Sequence, residues 1–321
     1  MRSQGKSMTR MDKWIPGVSP DDRTSDVARR TLRSRLAAVH HYLPLAAEKS
    51  DEDNEYVHEL RVATRRTTAA LRLYADMLPR RRTARMERHL KQIRRAAGDA
   101  RDCDVLAQRL SEGHADAEAQ RFLERVRSRR RKAQRPIQAF YRRLKKDDRF
   151  DRWVKNLLRG VRPRGRTKAE PKDPLFGVWA GTHLRRIVKR FFKAAPTGDT
   201  DVPALHRLRI RAKELRYAME LLAGAFRPDF VETLYPIVEI LQQQLGEISD
   251  HAIALASIRP RIGSADDPAE ADHLRTLLED EQAGLDRTRR AFLQWWTPQR
   301  KDDLCARFNE MLVGRYELAT A

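Results

Sequence analysis

The fold that this sequence predicts is all-α, with two similar helical bundles, and three observations carry that expectation. No run alternates apolar and polar β-branched residues, apolar positions recur at spacings of three and four along the 321-residue chain, and a pair of motifs returns at one constant shift. With only 14 Gly and 15 Pro to punctuate it, the chain has room for long helices.

Taken in order, residues 1–20 lack an apolar period and read as a flexible N-terminal segment. Ser19-Pro20-Asp21-Asp22 sets a capping residue before a proline at the first helical position and opens a first bundle over 21–160. Its helices are expected at 20–48, 52–78, 80–98, 101–112, 115–146 and 148–159. Gly160 to Arg166 and Pro171 to Pro174 mix Pro, Gly and charge without apolar periodicity, so 161–173 reads as a linker. A second bundle over 174–321 follows, with helices expected at 174–194, 203–225, 228–246, 249–259, 267–296 and 300–317, Asp267-Pro268 repeating the starting device. Val57 to Arg65 has a counterpart in Leu205 to Lys213, and Gly98-Asp99-Ala100-Arg101-Asp102 in Gly246-Glu247-Ile248-Ser249-Asp250, both 148 residues on. Two matches at one offset imply an internal duplication and two pseudo-symmetric bundles. Gly98 and Gly246 are each expected to end a helix as left-handed C-caps, with Asp102 and Asp250 capping the next helix or orienting an arginine.

On a helix, Val57, Leu60, Thr64, Thr67, Leu71, Tyr74 and Leu78 form a largely apolar stripe, and His58, Arg61, Arg65, Thr68 and Arg72 form a basic one beside it. The second motif divides the same way. Leu205, Leu208, Ala212, Leu215, Met219 and Leu222 face inward, while His206, Arg209, Lys213 and Arg216 line the neighbouring face. Rows of like charge repel by a few tenths of a kcal/mol per i,i+4 pair unless an anion lies between them.

Charge then limits the partners. With 66 Lys+Arg against 45 Asp+Glu the formal charge is +21, which leaves nucleic acid, inorganic polyanion and anionic membrane surface as candidates. Residues 1–160 carry 40 Lys+Arg against 22 Asp+Glu, a net +18, and 161–321 carry 26 against 23, a net +3. Apolar runs are a few residues long, so membrane insertion is not expected, and the N-terminus has no apolar stretch of the secretory kind. A cytoplasmic location is therefore expected. Cys103 and Cys305 form neither a disulfide framework nor a C-x-x-C pair. The run Arg127 to Lys132, continued to Lys146, reads as a solvated outer face, with an accessory polyanion track as the alternative.

Catalytic signatures are missing: no nucleophile–His–acid arrangement, no carboxylate pair at fixed spacing and no Gly-rich phosphate loop is visible. No metal site is expected either, because His58 and His206 lack an H-x-x-x-H or H-x-E partner and His40-His41 are adjacent, on different helix faces. The histidines are expected to hydrogen-bond backbone or anion at the edge of the core.

Four ordered motifs, His58-x-Leu60-Arg61-Val62-x-x-x-Arg65-Arg66, Gly98-x-x-Arg101-Asp102-x-Asp104-Val105, Leu205-His206-x-Leu208-Arg209-Ile210-x-x-Lys213-x-Leu215-Arg216-Tyr217 and Leu241-Gln242-x-x-Leu245-Gly246-Glu247-x-x-Asp250, resemble the CHAD family of conserved-histidine α-helical domains, over roughly residues 22–317. The resemblance implies two helical bundles with a basic concave surface that binds inorganic polyphosphate, often on polyphosphate granules, with no cofactor. No E-x-E-x-K strand motif marks the triphosphatase barrel to which some members are fused. Two departures stand out: Ser249 replaces Arg101, and Glu214 sits among the cations of the second motif.

The expected activity is therefore non-catalytic polyphosphate binding through Arg61, Arg65, Arg66, Arg72, Arg209, Lys213 and Arg216. His58 and His206 lie at the edge of that set, and Arg94, Arg101, Arg185 and Lys189 stand second in rank on neighbouring helices. The alternative is a non-specific nucleic-acid binder. Aromatics, at 7%, do not interleave with the basic stripes, so the stacking platform that single strands need is missing. An enzyme acting on phosphate esters would need a carboxylate cluster for magnesium, which the sequence lacks.

Overall fold

The computed structural model describes residues 12–112, 117–163, 173–196, 200–263 and 268–313. Among these there is no strand; α-helices are joined by short 3-10 turns and one π-turn. The chain forms two compact units, Met1–Leu175 and Phe176–Ala321.

In the first unit the helices are α1 (Thr24–Glu48), α2 (Glu55–Leu73), α3 (Arg80–Ala96), α4 (Gly98–Glu112), α5 (Ala117–Ala133), α6 (Arg135–Lys145) and α7 (Arg149–Leu158). Helix α2 packs along α1 and against α3, α4 lies along α5, and α6 and α7 close the back of α1. Its core is mainly aliphatic: Leu32, Leu36, Leu60, Leu71 and Met86 are fully buried beside Tyr74. Removing each such side chain from water is worth about 1.5–3 kcal/mol. Every residue of the apolar stripe from Val57 to Leu78 is buried, which turns the adjacent basic stripe to the edge of the core.

Helix α1 starts at Thr24 rather than near residue 20. Ser19 to Asp22 instead close a turn of their own, with the Ser19 amide donating to Asp22 Oδ2 at 3.0 Å. The capping carboxylate comes from far along the chain: Asp173 accepts from the Ser25 amide (3.1 Å) and from Ser25 Oγ (2.9 Å), and Thr24 donates to the Pro174 carbonyl. An acidic group there satisfies free amides at the positive end of the helix. Asp173, read from the sequence as linker, is thus part of the first unit, while linker residues 164–172 lie outside the described residues. Residues 12–15, at the end of the segment read as flexible, are held by buried Arg35, which donates to the carbonyls of Asp12 (2.8 Å) and Lys13 (2.5 Å), and by buried Ile15.

The second unit contains α8 (Phe176–Ala194), α9 (Val202–Leu222), the π-turn Phe230–Leu234, α10 (Tyr235–Ile262), α11 (Pro268–Trp295) and α12 (Pro298–Val313). Asp201 caps α9 by accepting from the Ala204 amide at 2.8 Å. The core is aromatic, with Phe176, Phe191, Phe230, Tyr235, Phe292 and Phe308 fully buried or nearly so. The inward residues of α9 expected from its period, from Leu205 to Leu222, are all buried.

Three sequence expectations need correction. The helix expected over 115–146 breaks at Gln134, whose side-chain amide bonds the last carbonyls of α1 while Pro136, lacking an amide proton, sits in the first turn of α6. Conversely, the helices expected over 228–246 and 249–259 merge into α10. Neither Gly98 nor Gly246 is a left-handed cap: Gly17 is the one described glycine with positive φ. Gly98 opens α4, and Gly246 lies inside α10 with open space around its missing Cβ.

Glycine substitutions test this directly. Gly246→Ala should raise stability in chemical denaturation by about 0.5–1 kcal/mol, where a left-handed cap would lose stability. Gly284→Ala should lower it. A Cβ there would lie 2.5 Å from Cε1 of His251, whose ring is fixed by a 2.5 Å contact between Nδ1 and Glu281. Asp173→Ala should cost about 1 kcal/mol through the lost cap.

Candidate functional site

Five guanidinium groups gather where α2, α3 and α4 meet in the first unit. Arg61 and Arg94 are threaded through each other's helices: Arg61 Nη1 donates to the Arg94 carbonyl (2.9 Å), and Arg94 Nη1 donates to Thr68 Oγ1 (2.8 Å) and the Thr64 carbonyl (3.2 Å). Thr68 is buried and passes its own proton to the Thr64 carbonyl, so its oxygen is free to accept from Arg94. These bonds hold two charged groups half-buried side by side.

Burial, followed by the charge of Arg65, pulls the Arg61 pKa below its ordinary value; Arg101 adds to this and Asp102 opposes it. Burial does the same for Arg94, with Arg72, Arg65 and Arg61 next in weight and Glu87 opposing. Arg61 and Arg94 are therefore each disfavoured by the cations around them. The acids that answer them stand at the rim: Glu87 faces Arg72 at 3.4 Å, Glu55 faces Arg101 at 3.5 Å, and Asp102 lies beside Arg61. Burial raises the Asp102 carboxyl despite that neighbour. Arg65 sits mid-face with its Nε buried and no hydrogen-bond acceptor for it among the described residues.

The second unit treats its cations differently. On α9, Arg209 pairs with Asp250 of α10 at 3.5 Å, and Arg216 lies between Glu220 (3.6 Å) and Glu239 (3.8 Å). Glu220 is 1% exposed and also accepts from Tyr235 Oη at 3.0 Å. Burial alone would lower the Arg216 pKa, but Glu220 and its neighbours reverse the sign and raise it. Glu214 is shared by Arg190 (2.6 Å) and Arg211 (2.8 Å). At the offset of 148, Arg66, Arg72, Lys91, Arg94 and Arg101 are answered by Glu214, Glu220, Glu239, Gln242 and Ser249. Over the full units, residues 1–175 hold 45 Lys+Arg against 24 Asp+Glu, and 176–321 hold 21 against 21. The whole net charge of +21 therefore belongs to the first unit.

Comparison with known proteins agrees with this architecture. The family model for the CHAD domain matches residues 30–259. This chain belongs to the CHAD family. Among solved structures, the CHAD domain of the plant Ricinus communis is similar at a TM-score of 0.68 and 22% identity, covering 90% of this chain and 97% of that one. PptA from Streptomyces chartreusis is similar at a TM-score of 0.52 and 19% identity, covering 86% and 99%. No curated protein matched the chain.

Of the residues expected to bind, the CHAD fold brings Arg61, Arg65, Arg72, Arg94 and Arg101 together, with half-buried Arg66 beside Arg65 on α2. Arg209, Lys213 and Arg216 share α9, with exposed His206 at its start, but Arg209 and Arg216 face acids. Arg185 and Lys189 are exposed on α8, Arg185 reaching the Leu312 carbonyl at 3.2 Å. Asp250 orients an arginine, as its spacing allowed. His58 does have close partners: its ring and the carboxylates of Glu55 and Glu59 offer ligand atoms within 4.8 Å of one another. H-x-x-x-H and H-x-E spacings do not reveal it; the signal in the sequence is a carboxylate three residues before the histidine, one helical turn away. Nor is the run from Arg127 wholly an outer face, because Arg130 is 9% exposed and bonds Asp104 at 2.9 Å. The Asp at 104 was part of the family motif, and its distant partner had no local signal.

The face makes a stability prediction in the absence of any anion. Arg61→Met should lower stability by about 1–3 kcal/mol, since the Arg94 carbonyl loses its donor. Arg65→Met keeps the aliphatic packing, removes repulsion and breaks no bond, so its unfolding midpoint should be unchanged or higher.

Proposed function

We propose that this protein binds inorganic polyphosphate without catalysis, chiefly through the guanidinium face of its first unit. The observation that carries the reading is the clustering of Arg61, Arg65, Arg72, Arg94 and Arg101 with acids only at the rim and an unsatisfied Arg65 at the centre. A protein pays for such a cluster unless an anion neutralises it. Polyphosphate offers non-bridging oxygens and dense charge, and arginine's planar fork engages two oxygens at once. Membership of the CHAD family supports the same ligand. Where polyphosphate accumulates as granules in the cytoplasm, this face would hold the protein on their surface. The second unit contributes less, because Arg209, Arg211 and Arg216 of α9 already face acids.

Competition binding with long-chain polyphosphate, duplex DNA and single-stranded RNA tests the ligand: polyphosphate should win at equal charge concentration, and a win for either nucleic acid overturns the reading. Charge-matched variants test the face. Arg65→Gln with Arg72→Gln should weaken polyphosphate by about a hundredfold, as charge-assisted hydrogen bonds are lost. Arg209→Gln with Lys213→Gln should cost clearly less. Lys132→Gln with Arg135→Gln, both exposed on α5 and α6, should cost less than about fivefold, since distant charges are screened. Equal losses in all three would mean that net charge alone governs binding. The slope of log affinity against log salt should be about 4 or more in magnitude, with each phosphate contact adding near 0.7–0.9 on nucleic acids.

A further inference from the structure

Beside the guanidinium face, the first unit holds a polar pocket of about 660 Å³ between the α1–α2 loop, α4 and α5. Its floor is the Arg130–Asp104 pair, each residue more than nine-tenths buried. Arg130 is fixed from three sides: Nε donates to Asp104 Oδ1 (2.9 Å), and Nη1 donates to Ser50 Oγ (3.2 Å) and Gln134 Oε1 (3.1 Å). Gln134 is itself buried and anchored on the end of α1. The usual two-bond fork between guanidinium and carboxylate is not formed. Arg130 Nη2 and Asp104 Oδ2 are both buried without a hydrogen-bond partner. An unmatched donor and an unmatched acceptor therefore sit in one rigid ion pair, and leaving either unmet carries its full desolvation cost.

A group that meets both must accept from a guanidinium and donate to a carboxylate. A fully deprotonated oxyanion, such as sulfate or an internal polyphosphate unit, only accepts, and an ammonium only donates. A single water could do both, and the pocket, many times the roughly 30 Å³ that a water occupies, has room for a larger group with the same two capacities. Four guanidiniums, those of Arg101, Arg127, Arg130 and Arg131, line it against three carboxylates, which favours an anion. Arg101 also belongs to the polyanion face, so the two sites share a wall.

We infer that this pocket binds a protonated phosphate group, one that keeps a P–OH, supplied either by free inorganic phosphate or by the end of a polyphosphate chain. The chain-end source rests on the function proposed above; the orthophosphate source does not. Terminal phosphates have a second ionisation at about pH 6, as in phosphomonoesters, so a chain end held against the carboxylate can keep the proton that internal units lack.

Calorimetric titration of the full chain with sodium phosphate and sodium sulfate, at neutral pH and fixed ionic strength, tests this. Phosphate should bind about tenfold or more tightly than sulfate, because sulfate leaves the buried acceptor unmet. Equal affinity would overturn the inference and leave the pocket to water. Asp104→Asn should collapse the preference, its amide supplying a donor where the carboxylate accepted. Arg131→Gln at the exposed rim, which puts no buried group at risk, should weaken both anions and keep their ratio; a phosphate preference untouched by either variant would overturn the site. Linear tripolyphosphate and cyclic trimetaphosphate, which has no ends, separate the sources as competitors of phosphate. Displacement by the linear form alone assigns the pocket to chain ends, and displacement by neither assigns it to free phosphate. Loss of the phosphate–sulfate difference with long-chain binding intact sinks this inference alone. Absence of long-chain binding sinks the proposed function and leaves the orthophosphate result standing.

Discussion

The mutual repulsion of arginines crossing between α2 and α3 is the constraint around which the first unit is built. Arg61 and Arg94 each reach over to bond the other's helix, so the bonds that pin α3 to α2 also force guanidiniums together. Thr68 makes this possible. It lies at the border of the apolar stripe, where a larger aliphatic would have filled the space, and offers the hydroxyl oxygen that Arg94 needs beside the Thr64 carbonyl. The core, the helix pairing and the charge cluster are thus one arrangement. Weakening repulsion without breaking the crossing is open at Arg65, Arg72 and Arg101, the members that hold no backbone carbonyl among the described residues.

The second unit carries no such constraint on its α9 cations. Acids stand where the first motif has cations, and its interior uses charge for internal order. Tyr235, Glu220, Glu239 and Arg216 form one network at the junction of α9 and α10, with Glu220 almost fully buried. A buried carboxylate held by an arginine and a tyrosine is costly to break and gives little back to a ligand. With 21 cations against 21 anions, the second unit has no net charge with which to draw a polyanion from a distance. Sequence halves that look alike by motif therefore differ in electrostatic role.

How much of this was legible in the sequence follows from what is local. Period fixes the buried face of a helix, so the inward residues of α2 and α9 and the adjoining basic stripes could be read off directly. Helix junctions were read less well, because they depend on groups distant in sequence. Asp173 caps α1 across about 150 residues, and Gln134 breaks the α5–α6 run by bonding carbonyls of Ala46 and Ala47. Gly246 misled for a different reason: a glycine before an acidic residue looks like a helix end, but nothing in α10 forces a positive φ there. The basic run from Arg127 gave no sign that its fourth member points inward, since Arg130 is selected by Asp104 and Gln134 and not by its neighbours. The candidate site was legible in its members but not in its asymmetry.

The proposed surface for polyanion contact is the α2–α3–α4 face of the first unit. Arginine-selective chemical labelling with peptide-level mass spectrometry, with and without long-chain polyphosphate, tests that most directly, because it reads each guanidinium in the unaltered protein. Polyphosphate should protect Arg65 and Arg72 strongly while Arg190 and Arg211, already held by Glu214, keep their labelling. Protection spread evenly over both units, or concentrated on the exposed Arg142 and Arg143, would contradict it.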